Sequence, residues 1–211
     1  MFRPLHQYRG QGGLAQGKPD LGGARAGATK GRMIRLFTAL SLPDDVAETL
    51  KRRQSGLPGA RWRSAEQLHI TLAFYGDIDE RSADDLAVEL EQAARGGPFD
   101  IALSGVGAFG DAHRSHTIWA GVEGGERLSV LAGRCRSAAE RAGVVMEKRN
   151  YHPHLTLAYL KPQTDPGRVA AWISGHNLLH SPSIPVFGFG LYSSVLSEGG
   201  SQYQLEREYR L

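Results

Sequence analysis

The residues of this chain best suited to chemistry are two histidines and two threonines, set in one phrase written twice. Leu68-His69-Ile70-Thr71-Leu72-Ala73-Phe74 and Pro153-His154-Leu155-Thr156-Leu157-Ala158-Tyr159 align with their histidines 85 residues apart. In a strand, residues i and i+2 share a face, so His69 and Thr71 point one way while Ile70 and Leu72 point the other. His154 and Thr156 stand in the same relation to Leu155 and Leu157. If both polar faces meet in one cleft, two imidazoles and two hydroxyls converge there. Imidazole titrates near neutrality, so one ring can remove a proton while the other delivers one, placing both limbs of a pH–rate bell between about 5 and 8. The threonine hydroxyls can hydrogen-bond non-bridging oxygens where negative charge builds up. Attack at phosphorus or a similar centre suits this set and needs no metal or cofactor. One H-x-T is a weak motif, but two in matching positions of a repeated framework form a strong one.

The framework that must position them also repeats. Ile34 to Leu40 reads as a strand, and Pro43-Asp44-Asp45 opens a helix whose buried face is Val46, Ala47 and Leu50. Leu68 to Tyr75 is a β-rich run, Leu86, Leu90 and Ala93 recur at helical spacing, and Phe99 to Phe109 is strand-like. His116 to Val122 then reads as a strand and Leu128, Leu131, Cys135 and Ala138 as a helix. His154 to Leu160 is a strand, followed by a helical pattern at Val169, Trp172 and Ile173. Ile184 to Ser197 and Ser201 to Tyr209 close the chain as a long hairpin. Phe37 and Trp119 lie 82 residues apart, close to the spacing of the two histidines. A duplication into two equivalent lobes explains this, whereas two copies are too few for a solenoid.

Composition bounds the alternatives. The 211 residues, 41% hydrophobic and 22% charged, suffice for a soluble domain with a real core. No stretch approaches the roughly 18 uninterrupted apolar residues of a spanning helix, which argues against a membrane protein. A net charge of +3 suggests an anionic partner until it is located. Residues 1–32 hold six bases against one acid, and the remainder holds 19 bases against 21 acids. The same segment contains 8 of the 27 glycines and almost no apolar periodicity, so it reads as a disordered tail or leader, with the fold beginning at Met33. It lacks the apolar stretch of a secretory signal. The single cysteine, Cys135, excludes an internal disulfide and sits at an apolar helical position, as a buried structural thiol. A cytoplasmic location follows.

His152 and His154 form an H-x-H pair that could share a metal ion, but no further ligand cluster accompanies it, and His152 reads as a cleft-edge or packing residue. His113, His116, His176 and His180 read as surface residues.

The doubled H-x-T-L, the opening Arg35-Leu36-Phe37-Thr38-Ala39, the stretch Trp62 to Gly76, the second phrase from Tyr151-His152-Pro153, and the closing Leu191-Tyr192-Ser193-Ser194 with Gly200-Ser201-Gln202-Tyr203 together resemble the two-histidine phosphoesterase superfamily. Within it they are most similar to the RNA 2',3'-cyclic phosphodiesterases, historically called 2'-5' RNA ligases. The resemblance spans Met33 to Leu211. It implies an α+β fold, bilobal with pseudo-twofold symmetry, in which two antiparallel sheets line a central cleft with helices outside. It also implies metal-free, cofactor-free hydrolysis of RNA 2',3'-cyclic phosphate ends to 2'-phosphomonoesters, with a weak reverse 2'-5' ligation. By motif order His69 matches the proton donor, His154 the proton acceptor, and Thr71 and Thr156 the phosphate-binding hydroxyls. One departure stands out: the family commonly has arginine where this chain has Tyr159. Lys148, Arg149 and Lys161 are candidates for the missing cation, and Tyr159 is a candidate to stack on a base. The implied partner is an RNA or oligonucleotide with a cyclic phosphate terminus, and the expected state is a monomer. The competing readings are a non-catalytic module that binds nucleotides or RNA ends, which would need no matched acid and base, and a phosphodiesterase acting on another cyclic or 2'-5' linked nucleotide.

Overall fold

The computed structural model describes residues 32–111, 114–147, 150–197 and 200–211. The tail read over residues 1–32 lies outside them except for Arg32, as do His113, Lys148 and Arg149. In chain order the elements are β1 (Met33–Ser41), α1 (Asp44–Lys51), β2 (Ala60–Trp62), a 3-10 turn (Ala65–Gln67) and β3 (His69–Asp79). Next come α2 (Glu80–Ala93), β4 (Phe99–Asp111), β5 (Arg114–Glu123) and α3 (Gly125–Arg141). The chain closes with β6 (His154–Leu160), α4 (Pro166–His176), β7 (Ile184–Val186), β8 (Gly188–Ser197) and β9 (Gly200–Arg210).

The apolar spacings explain the helices. α2 buries Ala83, Leu86, Ala87, Leu90 and Ala93, and its first turn is fixed by Asp79, whose carboxylate accepts the Ser82 N–H. α3 buries Leu128, Leu131, Ala132, Cys135, Ala138 and Ala139. α4 starts on Pro166 behind the capping carboxylate of Asp165. α2 and α3 pack on each other, α2 against β1 and β3 and α3 against β3 and β4, while α4 packs against β4 and β5.

The strands run in the order β7-β4-β5-β6-β3-β1-β8-β9, all antiparallel, with β2 added alongside β6. Two arms are thereby defined, β4-β5-β6 and β3-β1-β8-β9. β3 and β6 meet through the single register pair Ile70 and Leu155, both fully buried. The arms therefore join at the third residue of each repeated phrase, the one between its histidine and its threonine. Leu155→Ala should open a void at this junction and lower stability by about 2–5 kcal/mol, read as a depressed Tm. An unchanged Tm would show that the arms are held together elsewhere.

The closing segment differs from the single hairpin arm that its sequence suggests over Ile184 to Ser197. β7 pairs with β4, and the chain then crosses at the exposed Phe187 so that β8 pairs with β1 and β9. Pro185 has no N–H for a second ladder, which suits it to a short edge strand. Gly188 lies so close to β9 that a Cβ there would sit 2.4 Å from the Tyr209 carbonyl oxygen. The last segment thus ties one arm to the other. Among the described residues no helix is long and apolar enough to cross a membrane.

Candidate active site

β3 and β6 have the same burial pattern over their first seven residues, with His and Thr half-buried and Ile or Leu buried between them. Both also break register at the same place. Ala39 pairs with Thr71 and Thr38 with Ala73, so Leu72 is an extra residue against β1. Trp119 pairs with Thr156 and Ile118 with Ala158, so Leu157 is the matching extra residue against β5. Each β-bulge reverses the alternation that follows it. Phe74, whose partner Phe37 is two residues from Ala39, therefore lies on the face of Thr71. Tyr159, opposite Thr117, likewise shares the face of Thr156. Their exposures of 54% and 39% agree with this. Strict alternation from the sequence would have turned Tyr159 away from the threonine.

The two imidazoles are fixed alike. The Nδ1 of His69 is 2.8 Å from the Gln67 carbonyl, and that of His154 is 2.7 Å from the His152 carbonyl. A carbonyl oxygen can only accept, so each Nδ1 is the donor and Nε2 is left to exchange protons. Aromatic rings wall both. His69 has Phe37 at 5.1 Å and the edge of Tyr203 at 5.1 Å, and His154 meets Phe109 edge to face at 4.8 Å. Burial in this wall lowers the His69 pKa to about 4, the Gln67 hydrogen bond opposing and the charges of Arg63 and His154 adding to the effect. One imidazole is thus displaced below the window of pH 5 to 8 that two ordinary rings would give. The charge of His154 reaches His69, so the two phrases lie near one another.

The β8–β9 hairpin completes the His69 side. Gln67 donates to the Ser201 carbonyl at 2.9 Å, and Arg63 Nη2 donates to the Tyr203 hydroxyl at 2.8 Å. Phe37 stacks on Tyr192 at 5.4 Å and meets Tyr203 edge-on at 5.1 Å. Arg63 escapes sequence reading because it is one arginine among many with no periodic signal. Its contacts to Tyr159 and Tyr203 are distant in the chain. Of the three cations picked from the sequence, Lys148 and Arg149 lie outside the described residues, and Lys161 is exposed.

The remaining histidines are placed individually. His152 is exposed and contributes its carbonyl to His154. His116 is exposed on β5 with Nδ1 2.9 Å from the Thr117 hydroxyl. His176 departs from its expected surface role, stacking on Trp172 at 4.0 Å at the end of α4. Among the described residues no group of three or more His, Cys, Asp or Glu side chains is placed to hold a metal ion. Cys135 is buried against the Thr38 side of the core, and desolvation pushes its pKa up to about 12, as an inert thiol should be.

Comparison with known proteins places this arrangement in context. The 2'-5' RNA ligase superfamily matches residues 42–190. The RNA 2',3'-cyclic phosphodiesterase of Thermotoga maritima is 29% identical over 179 residues, covering 82% of this chain and 92% of that protein. That of Escherichia coli K12 is 31% identical over 173 residues, covering 80% and 92%. The crystal structure of E. coli LigT complexed with 3'-AMP superposes with a TM-score of 0.69 at 27% identity, over 85% of this chain and 98% of that one.

Proposed function

The chain belongs to the 2'-5' RNA ligase superfamily, and from that premise we propose that it hydrolyses RNA 2',3'-cyclic phosphate ends to 2'-phosphomonoesters by acid–base catalysis without a metal ion. The observation that carries this reading is the matched pair of H-x-T faces, each imidazole tethered through Nδ1 to the carbonyl two residues before it. A fixed ring with Nε2 free is what proton transfer requires, and two of them supply both ends of one displacement.

In this reading His154 Nε2 takes a proton from water as its oxygen attacks phosphorus. The P–O3' bond breaks, and the leaving 3'-oxygen takes a proton from His69 Nε2. The product carries a 3'-hydroxyl and a 2'-phosphate, and the two rings return to their starting states by exchange with solvent. Thr71 and Thr156 hydrogen-bond the non-bridging oxygens as charge accumulates on them. Tyr159 offers an exposed aromatic face beside Thr156 for a base. The catalytic domain is residues 33–211, acting as a cytoplasmic monomer on RNA or oligonucleotides that end in a cyclic phosphate.

Thr71→Ala and Thr156→Ala should each lower kcat roughly tenfold to a hundredfold, the range for one lost hydrogen bond to a charged oxygen. Steady-state kinetics on 2',3'-cyclic AMP would show this, and an unchanged kcat in both variants would remove the threonines from the mechanism. The reading itself is tested by incubating the protein with a short RNA ending in a cyclic phosphate, in the presence of EDTA. Conversion to a 2'-phosphomonoester supports it. Absence of product, or activity that EDTA removes and a divalent metal restores, overturns it.

A further inference from the structure

We propose that Arg63 is the cation that holds the phosphoryl group on which His69 and His154 act, an assignment that rests on the reading of the cleft as a phosphoester site. Arg61 pairs with Tyr159 across β2 and β6, and Arg63, two residues on, keeps the same side of the backbone. The Arg63 N–H donates to the Leu157 carbonyl at 2.9 Å, pinning it to the strand that carries His154 and Thr156. Its guanidinium carbon lies 5.4 Å from the Tyr159 ring centre and 5.6 Å from that of Tyr203. Tyr203 in turn packs edge-on against His69, so the cation stands beside both phrases at once.

The burial of this charge sets it apart. Arg63 is only 6% exposed, and its one side-chain hydrogen bond among the described residues goes to the neutral Tyr203 hydroxyl. Other arginines of the fold are paired with carboxylates, Arg35 with Asp77, Arg141 with Glu89 and Arg207 with Glu91. A buried guanidinium without an anion is unfavourable, and two tyrosine faces offset only part of that cost. Four of its five N–H donors remain for an acceptor, in a fork that matches two phosphate oxygens. A bound phosphate supplies the missing countercharge. The Arg61 guanidinium carbon sits 5.8 Å from the centre of the same Tyr159 ring, but Arg61 is exposed and serves as the internal control.

The test is binding of inorganic phosphate to the full chain by calorimetry, alongside kinetics on 2',3'-cyclic AMP. Arg63→Gln should weaken phosphate binding and lower kcat/KM roughly tenfold to a hundredfold. Arg63→Lys should recover part of the loss, because it keeps the charge and loses the fork. Arg61→Gln should change phosphate affinity less than about threefold, as an exposed charge does. Should Arg63→Gln fail to fold, the wild-type protein decides: phosphate should shift the Arg63 Nε–H resonance. Phosphate affinity equal to wild type in Arg63→Gln, or an unmoved Nε–H signal at saturating phosphate, overturns the assignment. If cyclic phosphate is hydrolysed normally by Arg63→Gln, the assignment falls and the proposed function stands. If the chain binds phosphate through Arg63 but turns over no cyclic phosphate, the function falls and the anion site stands.

Discussion

Replacing either His69 or His154 by alanine is expected to lower kcat/KM on 2',3'-cyclic AMP by about a hundredfold to ten-thousandfold, the range a positioned general acid or base contributes. Both losses should appear mainly in kcat, since proton transfer is made in the transition state and adds little to ground-state binding. The double variant should be far less impaired than the product of the two single effects, because one displacement uses both rings together. The folding control is built into the geometry. Each ring is half-buried and tethered by one hydrogen bond to its own chain, two residues back. Removing it leaves Ile70 and Leu155, on the opposite face, to hold the arms together. Tm should therefore change much less than activity, and His→Gln variants should be as inactive as His→Ala. Near-normal turnover in either single variant would remove that histidine from the mechanism.

What the sequence discloses about this site follows the range of the interactions involved. The repeated phrase is legible because strand periodicity is local, and the same holds for the helices that bury Leu86, Leu90 and Ala93 or Leu128, Leu131 and Cys135. The bulges at Leu72 and Leu157 are not legible. Neither site has a glycine or another residue type that marks a bulge, and the extra residue shows only when the register against β1 and β5 is known. They decide the side on which Phe74 and Tyr159 emerge. Arg63 is hidden for the same reason, since its role depends on Tyr203, 140 residues away, carried in by the closing hairpin. The switch of β7 to the far arm is likewise set by its pairing with β4 and not by its local sequence.

These non-local contacts alter the chemistry as well as the shape. Phe37, Tyr203 and Arg63 surround His69 from β1, β9 and the segment after β2, whereas the aromatic contact of His154 is with Phe109 of β4. The two halves of a symmetric motif thereby become unequal, as an acid and a base must be. The asymmetry comes from the frame around the phrase, because the His, Thr, Leu and Ala of its H-x-T-L-A core are the same in both copies.

The consequence is a pH dependence that two ordinary histidines would not give. In the free protein His69 has its pKa lowered from 6.5 to about 4, first by burial. At pH 7 only about one ring in a thousand then carries the proton that a donor needs. The active form combines His69 protonated with His154 neutral. The His69 inflection in kcat/KM is therefore expected near its value of about 4. A bound phosphate anion favours the protonated ring and offsets the charge of Arg63, so the same inflection in kcat should lie at higher pH. Stability has a related sign. The unfolded chain binds the His69 proton more tightly, so between about pH 4 and 6.5 stability rises with pH and is lost as pH falls toward the folded value. His69→Phe should flatten that slope. Proton NMR titration of the His69 ring, with and without inorganic phosphate, measures the cause directly. A free-protein midpoint between 6 and 7, or no upward movement when phosphate binds, would show that the burial of His69 does not set the rate profile.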